Sequence, residues 1–239
     1  MKMDRLKNKI AIITGGTGGL GKGVVSLFLK EGAKVFCTYI VRDEIGRCLS
    51  LKEEYGERLI FAKADVTKAK DIAKVAERVI QKSDRIDFLI NIVGGFVMAK
   101  ITDTDETMWN KMINMNLSSV FISSKAVLPQ MMKQKYGRII NIGARPAIKG
   151  ASKMSAYGAS KAGVLNLTES MANELSEYNI NVNVIIPGTI DTPTNRKDMP
   201  KADHAKWVKP EEIAEVMVFL CSREGDPISG AAVPVYGNT

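Results

Sequence analysis

Seven short apolar runs recur along the 239 residues of this chain, most of them rich in β-branched side chains. They are "KIAIIT" (9–14), "AKVFCTY" (33–39), "RLIFAK" (58–63), "DFLINIV" (87–93), "GRIINIG" (137–143), "NVNVIIP" (181–187) and "AAVPVY" (231–236). Runs so apolar leave no wet face, so they read as strands buried on both sides of a sheet. Between them lie stretches of helical length, about 20–31, 42–55, 68–82, 106–133, 155–177 and 210–221. Pro210 before Glu211 and Glu212 makes a good helix start, because the ring suits the first turn and the carboxylates suit the dipole. This alternation specifies an α/β fold, a doubly wound parallel sheet with helices on both faces. With no repeat, low-complexity run or linker, 1–239 reads as one domain, least regular over 188–209.

Composition removes several function classes. No apolar stretch reaches the roughly 20 residues that span a bilayer, so no membrane partner is expected. The apolar run after "MKMDRLKNK" is too short for a signal-peptide core, which points to a cytoplasmic protein. Cys37, Cys48 and Cys221 are odd in number and scattered, and read as reduced thiols with no metal site. His204 stands in a polar stretch and reads as a solvated loop residue. The net charge is +8, and Thr107 to Thr168 holds nine Lys or Arg with no Asp or Glu. Basic clusters with interleaved aromatics are missing, so no nucleic-acid partner is expected. The excess is either a solvated surface or a cleft that draws an anionic small-molecule substrate.

The run "ITGGTGGLGKGV" (13–24) follows the first strand and opens the first helix. It comes one residue short of a phosphate loop of the G-x-x-x-x-G-K-[ST] type, but Gly23 stands where a hydroxyl would hold Mg²⁺. A dinucleotide site survives: glycines admit a pyrophosphate close to the backbone, and the N–H groups of a helix starting near Leu20 favour its charge. Downstream, Tyr157 and Lys161 in "YGASK" are one helical turn apart and share a face. A free phenol, with pKa about 10, is a poor acid–base group, and an adjacent ammonium would stabilise its phenolate.

These features together resemble the short-chain dehydrogenase/reductase family along essentially the whole chain, which implies a Rossmann fold and hydride chemistry. "TGGTGGLG" matches the family's T-G-x-x-x-G-x-G, giving Gly15, Thr17, Gly18, Gly19, Leu20 and Gly21 as cofactor residues. "ADV" matches its adenine-contacting segment at Asp65 and Val66, and "NIVG" keeps Asn91 and Gly94 of N-N-A-G. "PGTIDT" matches P-G-x-x-x-T, giving Pro187, Gly188, Ile190 and Thr192 at the nicotinamide. The resemblance implies that Tyr157 is the acid–base, that Lys161 tunes it and contacts the nicotinamide ribose, and that Asn116 anchors a water in the proton path. It further implies a homo-oligomer, a tetramer or dimer, built through the helices 106–133 and 155–177.

Besides the changed middle pair of "NIVG", two positions depart from the family. Where it usually places a serine, thirteen residues before the tyrosine, this chain has Ala144. A methyl cannot donate to a substrate oxygen; either the substrate needs no donor, or Arg145, Ser152 or Ser155 replaces it, or the protein is a weak catalyst. "GARPA" is similar here to the quinonoid dihydropteridine reductase branch, which reduces a ring. The acid that binds ribose in NAD-selective members is replaced by Tyr39, and Arg42 nearby tilts the expectation from NAD to NADP.

Overall fold

The structure, a computed structural model, describes residues 4–238; residues 1–3 of the basic N-terminal stretch, and residue 239, lie outside the described residues. All seven predicted strands form: β1 Ile10–Thr14, β2 Lys34–Tyr39, β3 Leu59–Lys63, β4 Phe88–Asn91, β5 Gly137–Ile142, β6 Ile180–Pro187 and β7 Ala232–Val235. They build one parallel sheet in the order β3-β2-β1-β4-β5-β6-β7. The order reverses beside β1, so a crevice opens at the carboxyl ends of β1 and β4.

Each face of the sheet has its own apolar core. On one side α1 (Gly19–Lys30) and α8 (Pro210–Cys221) bury Val24, Phe28, Met217 and Val218 with Ile13 and Val35. On the other, α3 (Ala69–Ser83), α5 (Ser119–Gln134) and α6 (Ser155–Glu174) bury Ile72, Val79, Val127 and Met171 with Ile12, Leu89 and Val182.

Three predicted helices are not single helices. The stretch 42–55 is a 3₁₀ turn, Arg42–Cys48, followed by α2, Leu49–Tyr55. The stretch 106–133 is α4 (Glu106–Met112), a π-helical segment (Ile113–Ser118) and α5. The widened turn contains Asn116, whose side chain bonds outward to the backbone of Gly95. α6 stops at Glu174 and passes into a 3₁₀ turn, Ser176–Tyr178. The segment 188–209 is more ordered than its composition predicts. It holds α7 (Pro193–Asp198) and a 3₁₀ turn, His204–Lys206, and a bridge from Ile190 to Val208 joins its ends. His204 is not simply solvated: its ring tilts over Trp207 at 4.3 Å, and its Nε2 lies 2.9 Å from the Met199 carbonyl oxygen.

Candidate active site

The glycine loop takes its shape from two close approaches. Gly15 has φ +64°, in the left-handed region, and its N–H donates to Thr38 Oγ1 at 3.1 Å. Gly21 packs directly on that turn, where a Cβ would overlap the Gly15 carbonyl. α1 then begins without a side-chain cap and without an acid in its first turn. The N–H groups of Gly19, Leu20 and Gly21 lack helical partners by position, and so can serve an anion.

Above this loop lies a cleft of about 350 Å³. Gly15, Thr17, Gly18, Gly19, Leu20 and Gly21 line it on one side, Asp65 and Val66 on a second, and Gly94 with Met115 at the far end. A turn in which four of six lining residues are glycine, next to unpaired helix N–H groups and a buried Val66, fits a dinucleotide. Asp65 holds its own turn: Oδ1 accepts from the Thr67 hydroxyl at 2.6 Å, and Oδ2 lies 3.3 Å from Lys68. The Thr67 hydroxyl leads in holding this carboxyl below its ordinary range, with Lys68 adding to it.

Other predicted cofactor residues lie differently. Asn91 spends its amide on Asn141 Oδ1 at 2.9 Å, and Asn141 in turn donates to Thr168 Oγ1, forming a buried chain from β4 to α6. Pro187 ends β6, Gly188 N donates to Val235 O at 2.9 Å, and Ile190 is fixed by its bridge to Val208. Thr192 caps α7, its hydroxyl accepting from Asn195 N at 3.2 Å and keeping its own proton free to donate. Arg42 is exposed and does not line the cleft. At the rim beyond β2 stand Tyr39, Ile40 and Glu44, and Glu44 Oε2 accepts from the Thr17 hydroxyl at 3.2 Å. Glu44 was missed because strand-end acids are sought at the strand's last residue, and the 3₁₀ turn delivers this one from five residues further on.

Two of the three predicted catalytic residues, Asn116 and Lys161, meet at Gly94. A Cβ there would stand 2.8 Å from Asn116 Oδ1 and 3.3 Å from Lys161 Nζ, so only glycine lets both approach. Lys161 is 4% exposed and donates to Ile142 O at 2.7 Å. Burial pushes its ammonium down to about 8. Burial likewise pushes the Tyr157 phenol up to about 12, so desolvation, not the expected pull of Lys161, governs it in this geometry. Asn116 is fully buried; Oδ1 accepts from Gly95 N at 2.8 Å, and Nδ2 donates to Gly95 O at 3.1 Å and Ser160 Oγ at 2.9 Å. The ring of Phe96 packs edge-on against Tyr157, with centroids 4.9 Å apart.

Ala144 is buried in extended backbone just past β5. Of its candidate substitutes, Arg145 stacks over the ring of Tyr236 at 4.1 Å. Ser152 is exposed. The Ser155 hydroxyl is buried without a hydrogen-bond partner among the described residues, but two residues before Tyr157 it lies round the other side of α6.

The short chain dehydrogenase family model matches residues 9–203. The chain is 35% identical to the 3-oxoacyl-[acyl-carrier-protein] reductase FabG of Thermotoga maritima, over 98% of each protein. It is 30% identical to a cyclopentanol dehydrogenase of Comamonas testosteroni, again over 98% of each. Among solved structures, ElxO with NADP bound superposes with TM-score 0.90 at 28% identity, covering 96% of this chain and 97% of that one. A glycine-cradled cleft at the reversal of a seven-stranded parallel sheet accords with these likenesses, and the chain belongs to the short-chain dehydrogenase/reductase family of NAD(P)-dependent oxidoreductases.

Proposed function

We propose that this chain reduces a carbonyl or imine-like carbon with NAD(P)H, using Tyr157 as acid–base, Lys161 to tune it and Asn116 in proton relay. The observation that carries this reading is the convergence of Asn116 and Lys161 on Gly94, which lines the glycine-lined cleft. The nicotinamide, when bound, supplies the hydride. Tyr157, held protonated by its burial, is suited to give its proton to the developing oxygen or nitrogen anion. Lys161, one turn on, favours the phenolate that remains and passes a proton back towards it. Asn116 pins Gly95 and so keeps the floor of that path in place.

The substrate is one that spreads its own negative charge, such as a conjugated or pteridine-like ring. Ala144 supports this, because a methyl gives a simple alkoxide no donor. The names of the FabG and cyclopentanol dehydrogenase relatives support chemistry between a carbonyl and an alcohol. NADP(H) is proposed over NAD(H), supported by the NADP-bound ElxO; Arg42, exposed and outside the cleft lining, adds nothing to this, and Glu44 in the cleft weighs the other way. The segment 188–209 forms the substrate side, and the net charge of +8 suits an anionic ligand. Exposed Trp109 on α4 and Phe121 on α5 support a homo-oligomer through those helices. Ala144 also favours a second reading, a nucleotide sensor with little turnover.

Tyr157→Phe tests the reductase reading. It removes only the hydroxyl, so turnover falls by about a hundredfold or more while cofactor affinity holds. A variant that keeps most of kcat takes Tyr157 out of the chemistry.

A further inference from the structure

The side chain that packs on Tyr157 is Phe96, and acid–base chemistry does not require it. Its ring stands at 88° to the phenol, yet 54% of the residue is exposed. The backbone beneath it is held from both sides. Asn116 grips Gly95 through both atoms of its amide, and Ala99 N donates to Lys153 O at 2.9 Å, joining the loop after β4 to the loop after β5. Met98 on the first loop and Ile148 on the second are also exposed. Past Ala144, Pro146 packs on α6 at Gly158, the neighbour of Tyr157, where a Cβ would stand 3.1 Å from the Pro146 carbonyl. The phenol of Tyr157 therefore meets an aromatic ring carried on a loop anchored at Gly95 and Ala99, and the other loop begins at Ala144, whose side chain is a methyl.

We infer that Phe96 determines substrate specificity, serving as a fixed aromatic wall that receives a flat, conjugated ring beside the Tyr157 hydroxyl. This rests on reading Tyr157 as the acid–base. A ring stacked on a fixed ring gains an attraction that a puckered, saturated ketone does not share. Reduction of a quinone in this position adds one hydride from the reduced nicotinamide and one proton from the phenol, and the cofactor leaves oxidised.

The test compares phenanthrenequinone, which is flat, with cyclohexanone, which is not. Binding of each is measured by saturation-transfer NMR and titration on the full chain loaded with oxidised cofactor, where no hydride is available. kcat and KM are measured separately with the reduced cofactor. Phe96→Ala should weaken phenanthrenequinone about tenfold more than cyclohexanone, and the loss should appear in KM more than in kcat. Phe96→Tyr should restore the preference and Phe96→Leu should not. Equal losses for both probes, full rescue by leucine, or no binding of phenanthrenequinone to the unaltered protein would overturn the inference. Ring-selective binding with no turnover of either probe would overturn the reductase reading and leave the role of Phe96 standing.

Discussion

Thr192 lies so close to Gly19 that a Cβ on the glycine would stand 2.9 Å from the threonine methyl. The contact joins the start of α1, which lines the cleft, to the segment after β6. Gly19→Ala must move Thr192 or its own helix, and neither is a flexible side-chain tip. Cofactor affinity should fall about tenfold or more, with a thermal midpoint within a few degrees of the unaltered protein. Calorimetric titration checks the first and a melting curve the second. A variant with unchanged affinity would show that Thr192 can withdraw without consequence.

Lys161 should store instability at neutral pH. Its ammonium titrates near 8 in the fold, against 10.5 for the free group. Between these values the unfolded chain holds the proton and the folded chain does not, so stability rises with pH through this window. Below it, the buried charge costs its full amount, about 3 kcal/mol. Lys161→Met should therefore be inactive but more stable at pH 7, with an advantage that shrinks to nothing above pH 10.5. Urea midpoints for both proteins at several pH values check this; a constant difference would place the cause elsewhere.

Ala144→Ser separates a specialised reductase from a decayed one. If the substrate disperses its own charge, the added hydroxyl should leave reduction of a conjugated ring within about threefold. It should raise kcat/KM on saturated ketones by about a hundredfold, the usual worth of one well-placed donor. Steady-state rates on both substrate classes are enough. A protein that already reduces saturated ketones as fast as its serine variant would point to another donor.

Much of the fold was legible because its signals were local. Seven apolar runs and the glycine loop fall where expected, since strand burial and tight turns leave their mark on a few neighbouring residues. What stayed hidden depends on distant partners. The π-helical turn at Asn116 has no propensity signature; it exists together with bonds to Gly95, twenty-one residues away. Glu44 enters the cleft only because 42–48 winds as a 3₁₀ turn, and Phe96 meets Tyr157 across sixty-one residues of chain. The motif marks Asn91 as a cofactor residue, and nothing local announces that its side chain bonds Asn141 in the interior.

That interior amide pair has a consequence for how the sheet assembles. β4 and β5 are wholly buried, and Asn91 stands directly opposite Asn141 in their ladder. Apolar strands covered on both faces are poor at choosing an alignment, because a slide of two residues returns a hydrocarbon surface to each side. The two asparagines break that degeneracy. Any slid pairing parts Asn91 from Asn141, leaving amides in a dry core at about 1–3 kcal/mol for each unpaired group. The chain of bonds thus works as a keyway through the centre of the sheet. By fixing β5 against β4, it sets where both Ala144 and the Ile142 carbonyl that receives Lys161 come to rest.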